Sequence, residues 1–199
     1  MRLAVLLSGR GSNFQSIHEA IQRGALDAEI VCVISNRPGA PGIARARDYG
    51  YAAHALDHKA FANRAAHEDE VLRVLDEARP DFIVLAGYMR LLGKPFIERY
   101  PNRILNIHPS LLPAFPGVDA QAQALAYGVK VSGCTVHFVD EQLDAGPILV
   151  QRAVDVRDDD TAETLSARIL VQEHEAYVEA LQKLATRRWR VAGRRVLFE

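Results

Sequence analysis

The stretch "RLAVLLSGRGSNFQSIHEAIQ", residues 2–22, decides the fold. It opens as an apolar run of strand length, turns through Gly9 and Gly11, and continues with helical period. The order repeats along the chain. "AEIVCVIS" is followed by "APGIARARDYG", then "YAAHAL" by the long helix candidate "KAFANRAAHEDEVLRVLDEA" and the strand "DFIVLAG". Strand and helix alternating in this way predict a parallel sheet with helices on both faces, so the first hundred residues read as doubly wound α/β.

The second half changes character. "KVSGCTVHFV" and "GPILVQRAV" are strands joined only by "DEQLDA", too short for a crossover helix, so the pair reads as a hairpin. The expected sheet is therefore mostly parallel with an antiparallel C-terminal portion. In "DDDTAETL", Asp160 with Glu163 three residues later signals the start of a helix running to about Ala185, and the tail "TRRWRVAGRRVLFE" suggests two short strands. No repeat or linker interrupts the chain. It reads as one domain over 1–199, with a phosphate-binding half in 1–100 and a catalytic half in 101–199.

Composition narrows the function. With 49% hydrophobic and 25% charged residues the chain can bury an ordinary core. A net charge of -1 lacks the basic excess of a general nucleic-acid binder, and "MRLAVLLS" is too short for a membrane span. These features point to a cytoplasmic protein acting on small molecules, with neither nucleic acid nor membrane as partner. Cys32 and Cys134 sit in apolar strand-like runs, where cysteine behaves as a small hydrophobe, so neither a disulfide nor a metal site is expected.

Ser8 to Asn13 lie between the first strand and the first helix, where free backbone amides make an anion site. Gly11 permits close backbone approach, and Ser12 and Asn13 add side-chain donors. A dinucleotide fingerprint would need a third glycine where Phe14 stands, and no lysine closes a Walker loop. A terminal phosphate on a small substrate fits best.

A second site is written in "RILNIHPSLLP", residues 103–113. Side chains alternate along a strand, so Asn106 and His108 share a face at the strand's end, and Pro109 stops the ladder. Asp144 lies in the hairpin loop. An amide donor, an imidazole and a carboxylate that favours its protonated form suit stabilisation of an oxyanion in acyl transfer. In the closing helix, Ile169, Leu170, Glu173, Tyr177, Ala180, Leu181 and Leu184 form one stripe, which turns a carboxylate inward. That carboxylate needs a partner, either a structural cation or a cationic ligand. Other groupings are weaker: no G-x-S-x-G elbow supports Ser110 as a nucleophile, and His137 reads as packing on its strand.

Together "LLSGRGSN", "ISNRPGAPGIARA", "VLAGYMRLL", "NIHPSLLPAFPG", "TVHFVDEQLDAGPIL" and "VQEHE" resemble the folate-dependent glycinamide ribonucleotide formyltransferases of purine synthesis. The resemblance runs over nearly the whole chain. It implies catalysis by Asn106, His108 and Asp144, with Gly11, Ser12 and Asn13 holding the ribose phosphate and Glu173 engaging the amine end. It further implies that 10-formyltetrahydrofolate is the formyl donor, bound by Met89, Arg90, Leu91, Leu92, Asn106, Val139 and Asp140, with Arg64 at its benzoylglutamate end. No metal is implied, and the enzyme would be a monomer or homodimer. One departure stands in "VDAQAQAL", residues 118–125, where many relatives carry histidines.

Three rival functions share parts of this pattern. A formyltetrahydrofolate hydrolase would use the same residues with water as acceptor, but such relatives carry an extra N-terminal domain and here the catalytic sheet begins at residue 2. A tRNA-directed formyltransferase would add a basic C-terminal domain, which a chain ending at Glu199 lacks. A silent phosphate-binding module would have no use for Asn106, His108 and Asp144 together.

Overall fold

A computed structural model describes all residues, Met1–Glu199, as two compact units, Met1–Leu105 and Asn106–Glu199. In the first unit, β1 (Arg2–Leu7) leads through the glycine turn to α1 (Ser12–Gln22), then β2 (Glu29–Ser35), α2 (Pro41–Asp48) and β3 (Ala53–Ala55). α3 (Arg64–Ala78), β4 (Phe82–Leu85) and α4 (Lys94–Arg99) complete it. The strands lie in the order β3-β2-β1-β4 and pair in parallel, with Leu3 opposite Ile30 on one side and Phe82 on the other. Leu3 to Leu7 are wholly buried. That explains the unbroken apolar run: a parallel strand covered on both faces has no solvent side to colour.

The chain leaves β1 toward β2 and β3, then returns to β4 on β1's other side. This reversal puts a topological switch point at the carboxyl ends of β1 and β4, the place where open α/β sheets bind ligands. The glycine turn and the loop after β4 both stand there.

β5 (Ile104–His108) carries the unit boundary within it, its last three residues, Asn106, Ile107 and His108, belonging to the second unit. That unit continues with α5 (Ala120–Tyr127), β6 (Val131–Phe138), β7 (Ile148–Asp155), α6 (Ala162–Thr186), β8 (Trp189–Ala192) and β9 (Arg195–Phe198). β6 and β7 form the expected antiparallel hairpin, with an irregularity at Val136/His137. The tail is a hairpin as well, and its β9 adds in parallel beside β7. α6 packs on β6 and β7, burying Ile169, Tyr177, Ala180, Leu181 and Leu184 from the predicted stripe. Parallel pairing in the first unit and mainly antiparallel pairing in the second give the expected mixed α/β class. No helix is long and apolar enough to cross a membrane.

Two helix starts differ from the sequence expectation. α3 begins at Arg64, because the Asn63 side chain accepts from the Ala66 amide at 2.9 Å and caps it, while residues 58–60 form a separate turn capped by Asp57. α6 is capped by Thr161, which exchanges hydrogen bonds with Thr164 at 3.3 and 2.9 Å. Asp160 stands one residue outside because Arg168 holds both its carboxylate oxygens, at 2.7 and 2.8 Å. A bidentate guanidinium outbids a cap.

Candidate active site

In the first unit the turn after β1 is built for close approach. Gly11 is left-handed, with φ 71°, and a Cβ there would lie 3.2 Å from both Gly42 Cα and a Leu7 methyl. Gly11 is also the N-cap of α1 and supplies no side chain, so no cap covers the helix's first turn. Carbonyls that would repel an anion are occupied elsewhere: Gly9 O accepts from the Gly42 amide at 3.0 Å and Arg10 O from the Arg45 guanidinium at 2.8 Å. What the turn offers is the positive end of α1 with the half-buried Ser12 beside it. Asn13 is buried, with 6% of its surface exposed.

Ser8 ties this turn to the loop after β4. Its hydroxyl accepts from the Met89 amide at 2.8 Å and donates to Asn36 Oδ1 at 2.5 Å, while its own amide donates to Gly87 O at 3.0 Å. Beyond Ser8 the loop presents Met89, 71% exposed, and Leu91, 64% exposed. Two large apolar side chains exposed on one loop form a candidate contact surface. Arg90 and Leu92 alternate with them and are half-buried. The loop's far end is held by Glu68, whose carboxylate accepts from the Gly93 amide at 3.0 and 3.2 Å and pairs with Arg64 at 3.5 Å. Arg64 itself is exposed at the start of α3. Through Glu68 the structure ties Arg64 to the end of the loop that carries Met89, Arg90, Leu91 and Leu92.

In the second unit, Asn106 and His108 stand at the end of β5 and meet Asp144. His108 Nδ1 lies 3.3 Å from Asp144 Oδ2, and both side chains are over nine-tenths buried. His108 Nε2 lies 2.8 Å from Phe115 O. A ring facing a carboxylate and a carbonyl can donate from both nitrogens only as the imidazolium. Asp144 has a left-handed φ of 50° and also accepts from the Gly117 amide at 2.8 Å, so the loop after β5 and the hairpin loop lock each other. Gly146 makes the bend possible, since any Cβ there would run into Phe138 O at the end of β6. Val139 and Asp140 follow β6 directly, and Asp140 caps its own turn by accepting from the Gln142 amide at 2.9 Å.

Glu173 is half-buried on α6, facing β6 closely enough that its charge adds to burial in pushing the Cys134 thiol up to about 12. The carboxylate expected to face inward does so. No group of three or more histidine, cysteine, aspartate or glutamate side chains is placed to hold a metal ion.

His137 is the residue that sequence reasoning passed over. On its strand it reads as packing, yet its Nε2 lies 3.3 Å from Asn106 Nδ2 and 3.8 Å from Asp144 Oδ1. Ser8 and Glu68 were missed too. Their signal is a partner 81 and 25 residues away, which local spacing cannot supply.

The chain matches the formyl transferase family over residues 1–181. It is 42% identical over 183 residues to the phosphoribosylglycinamide formyltransferase of Bacillus subtilis, an alignment covering 92% of this chain and 94% of that one. It is 48% identical over 185 residues to the trifunctional purine biosynthetic protein adenosine-3 of Drosophila melanogaster, of whose length it spans 14%. Its fold superposes with a TM-score of 0.97 on the crystal structure of glycinamide ribonucleotide transformylase 1 from Symbiobacterium toebii, at 47% identity, covering 100% of this chain and 93% of the other. Sequence and fold agree, and the chain belongs to the formyl transferase family, among the phosphoribosylglycinamide formyltransferases.

Proposed function

We propose that the protein transfers the formyl group of 10-formyltetrahydrofolate to the amine of glycinamide ribonucleotide. The observation that carries this reading is the buried His108 and Asp144 pair beside Asn106, an electrostatic site matched to a developing oxyanion. The neutral amine attacks the formyl carbon, forming the new C–N bond and placing negative charge on the formyl oxygen. Asn106 and the protonated His108 stabilise that charge, His108 exchanging the Phe115 carbonyl for the oxyanion. Asp144 keeps His108 charged and helps relay the amine's proton to N10 of the folate as the old C–N bond breaks. No metal and no covalent enzyme intermediate enter.

Gly11, Ser12 and Asn13 hold the ribose phosphate at the helix N-terminus, and Glu173 takes the amine end. The folate lies on Met89, Arg90, Leu91, Leu92, Val139 and Asp140, with Arg64 meeting its carboxylates. The free Met89 and Leu91 faces and the Glu68 clasp on their loop support this assignment. The net charge of -1 supports small-molecule partners, and the setting is cytoplasmic, with the enzyme a monomer or homodimer. Optical loss of 10-formyltetrahydrofolate, followed with and without glycinamide ribonucleotide, tests the reading. Loss that requires the ribonucleotide supports transfer; equal loss without it means hydrolysis.

A further inference from the structure

Behind His108 stands a second buried histidine with its own geometry. His137 on β6 is 2% exposed, and its Nδ1 lies 2.9 Å from Phe138 O. A carbonyl has no hydrogen to give, so Nδ1 carries one. The groups facing this ring are Asp144 and Asp140 from the hairpin loop, which favour its charged form, and His108 from β5, which opposes it. Burial outweighs them and lowers its pKa from the ordinary 6.5, so at neutral pH the ring is neutral. With the one hydrogen on Nδ1, Nε2 presents a lone pair.

What can meet that lone pair is decided by chemistry. Asp144 Oδ1, at 3.8 Å, is an acceptor and too far for a hydrogen bond. Asn106 Nδ2, at 3.3 Å, is the one hydrogen donor facing it. We propose that His137 is a positioning residue for formyl transfer: its Nε2 accepts one of the two Asn106 Nδ2 hydrogens and so fixes which end of that amide faces the reacting carbonyl.

The consequence follows from the symmetry of a side-chain amide. Turned over by 180°, Asn106 would offer Oδ1 where the oxyanion forms, replacing attraction by repulsion. A neutral His137 anchored through Nδ1 has no hydrogen for Oδ1, so it disfavours the reversed amide and leaves the second Nδ2 hydrogen for the oxyanion. Protonation inverts this. Nε2 then becomes a donor, binds Oδ1 or moves to Asp144, and the amide loses its working orientation. Acid therefore removes activity through His137 as well as through any other titrating group. The proposal rests on the formyl-transfer reading and adds to it the group that orients the amide.

The test is a double-mutant cycle, with turnover and both KM values measured for the wild type, His137→Phe, Asn106→Ala and the double variant. His137→Phe should lower kcat by roughly 10- to 100-fold with KM values little changed, since a misplaced catalytic group costs rate rather than binding. In the Asn106→Ala background the same change should cost less than about threefold, and His137→Gln, whose Oε1 can accept, should recover part of the loss. Equal losses in both backgrounds, or no loss in either, would overturn the proposal. A second measurement stands whether or not these variants fold or the wild type turns over. Nitrogen-15 spectra of the histidine rings in the wild-type protein at neutral pH should show His137 protonated on Nδ1 with Nε2 accepting a hydrogen bond. A ring protonated on Nε2 would overturn the proposal by itself. Absence of transfer by the wild type would count against the function and leave the ring assignment to decide the orientation claim.

Discussion

His108 Nδ1 faces Asp144 Oδ2 at 3.3 Å, with 5% and 9% of the two side chains left to solvent. Polar groups so withdrawn cannot lose a partner cheaply, because the one left behind stays buried without its hydrogen bond. Asp144→Asn should therefore cost about 1 to 3 kcal/mol of stability. It should also lower kcat by roughly two to four orders of magnitude, the range of a lost acid or base, with smaller changes in KM. Denaturant unfolding beside steady-state kinetics checks both; full turnover in the variant would remove the pair from the mechanism.

The glycine turn makes a prediction about binding alone. A methyl at Gly11 would press on Gly42 and Leu7, and the left-handed backbone itself costs about 1 to 2 kcal/mol with a side chain. Gly11→Ala should raise KM for the phosphorylated substrate about tenfold or more, and leave a dephosphorylated analogue no worse than before. Comparing the two substrates on one variant isolates the phosphate contact.

Glu68 is predicted to act on the folate side without touching the chemistry. Removing it frees the Gly93 amide and releases Arg64, loosening the loop that carries Met89 and Leu91. A buried amide without its acceptor costs about 1 to 3 kcal/mol. Glu68→Ala should raise KM for 10-formyltetrahydrofolate several-fold, with kcat and the KM for the ribonucleotide nearly constant. A fall in kcat alone would contradict the role.

Much of this was legible in the sequence, and the boundary of legibility is physical. The buried parallel strands write themselves as apolar runs, the α6 stripe keeps helical period, and Asn106, His108 and Asp144 are chemically distinctive residues at a strand end and a glycine-bounded loop. What escaped depends on contacts across the chain. Asp160 looks like a cap until Arg168 is seen to claim it, and the helix begins at Thr161 instead. His137 looks like packing until β6 is placed so that its ring reaches Asn106. Neither Ser8 nor Glu68 announces that a loop amide far along the chain needs an acceptor.

Three histidines contribute to the loss of stability just below neutral pH. Burial is the largest influence on His18, His67 and His137, and lowers each from the ordinary 6.5. A depressed folded value means that the unfolded chain takes up protons first as pH falls below 6.5, so stability is lost from there downward until the folded rings also titrate. Urea midpoints between pH 7.5 and pH 5 should fall, following this sign. His67→Phe should flatten part of the slope, His67 being wholly buried with Nδ1 unpartnered. An unchanged slope would mean that His67 does not contribute.

The fate of a labelled formyl carbon tests the central claim most directly. With donor carrying carbon-13 in the formyl group, and glycinamide ribonucleotide present, carbon NMR should show the label arriving on the ribonucleotide's amine as a formamide, with little formate. In His108→Ala that signal should fall by orders of magnitude while the donor persists. Label appearing as formate at the same rate with and without the ribonucleotide would contradict the account and make the protein a hydrolase.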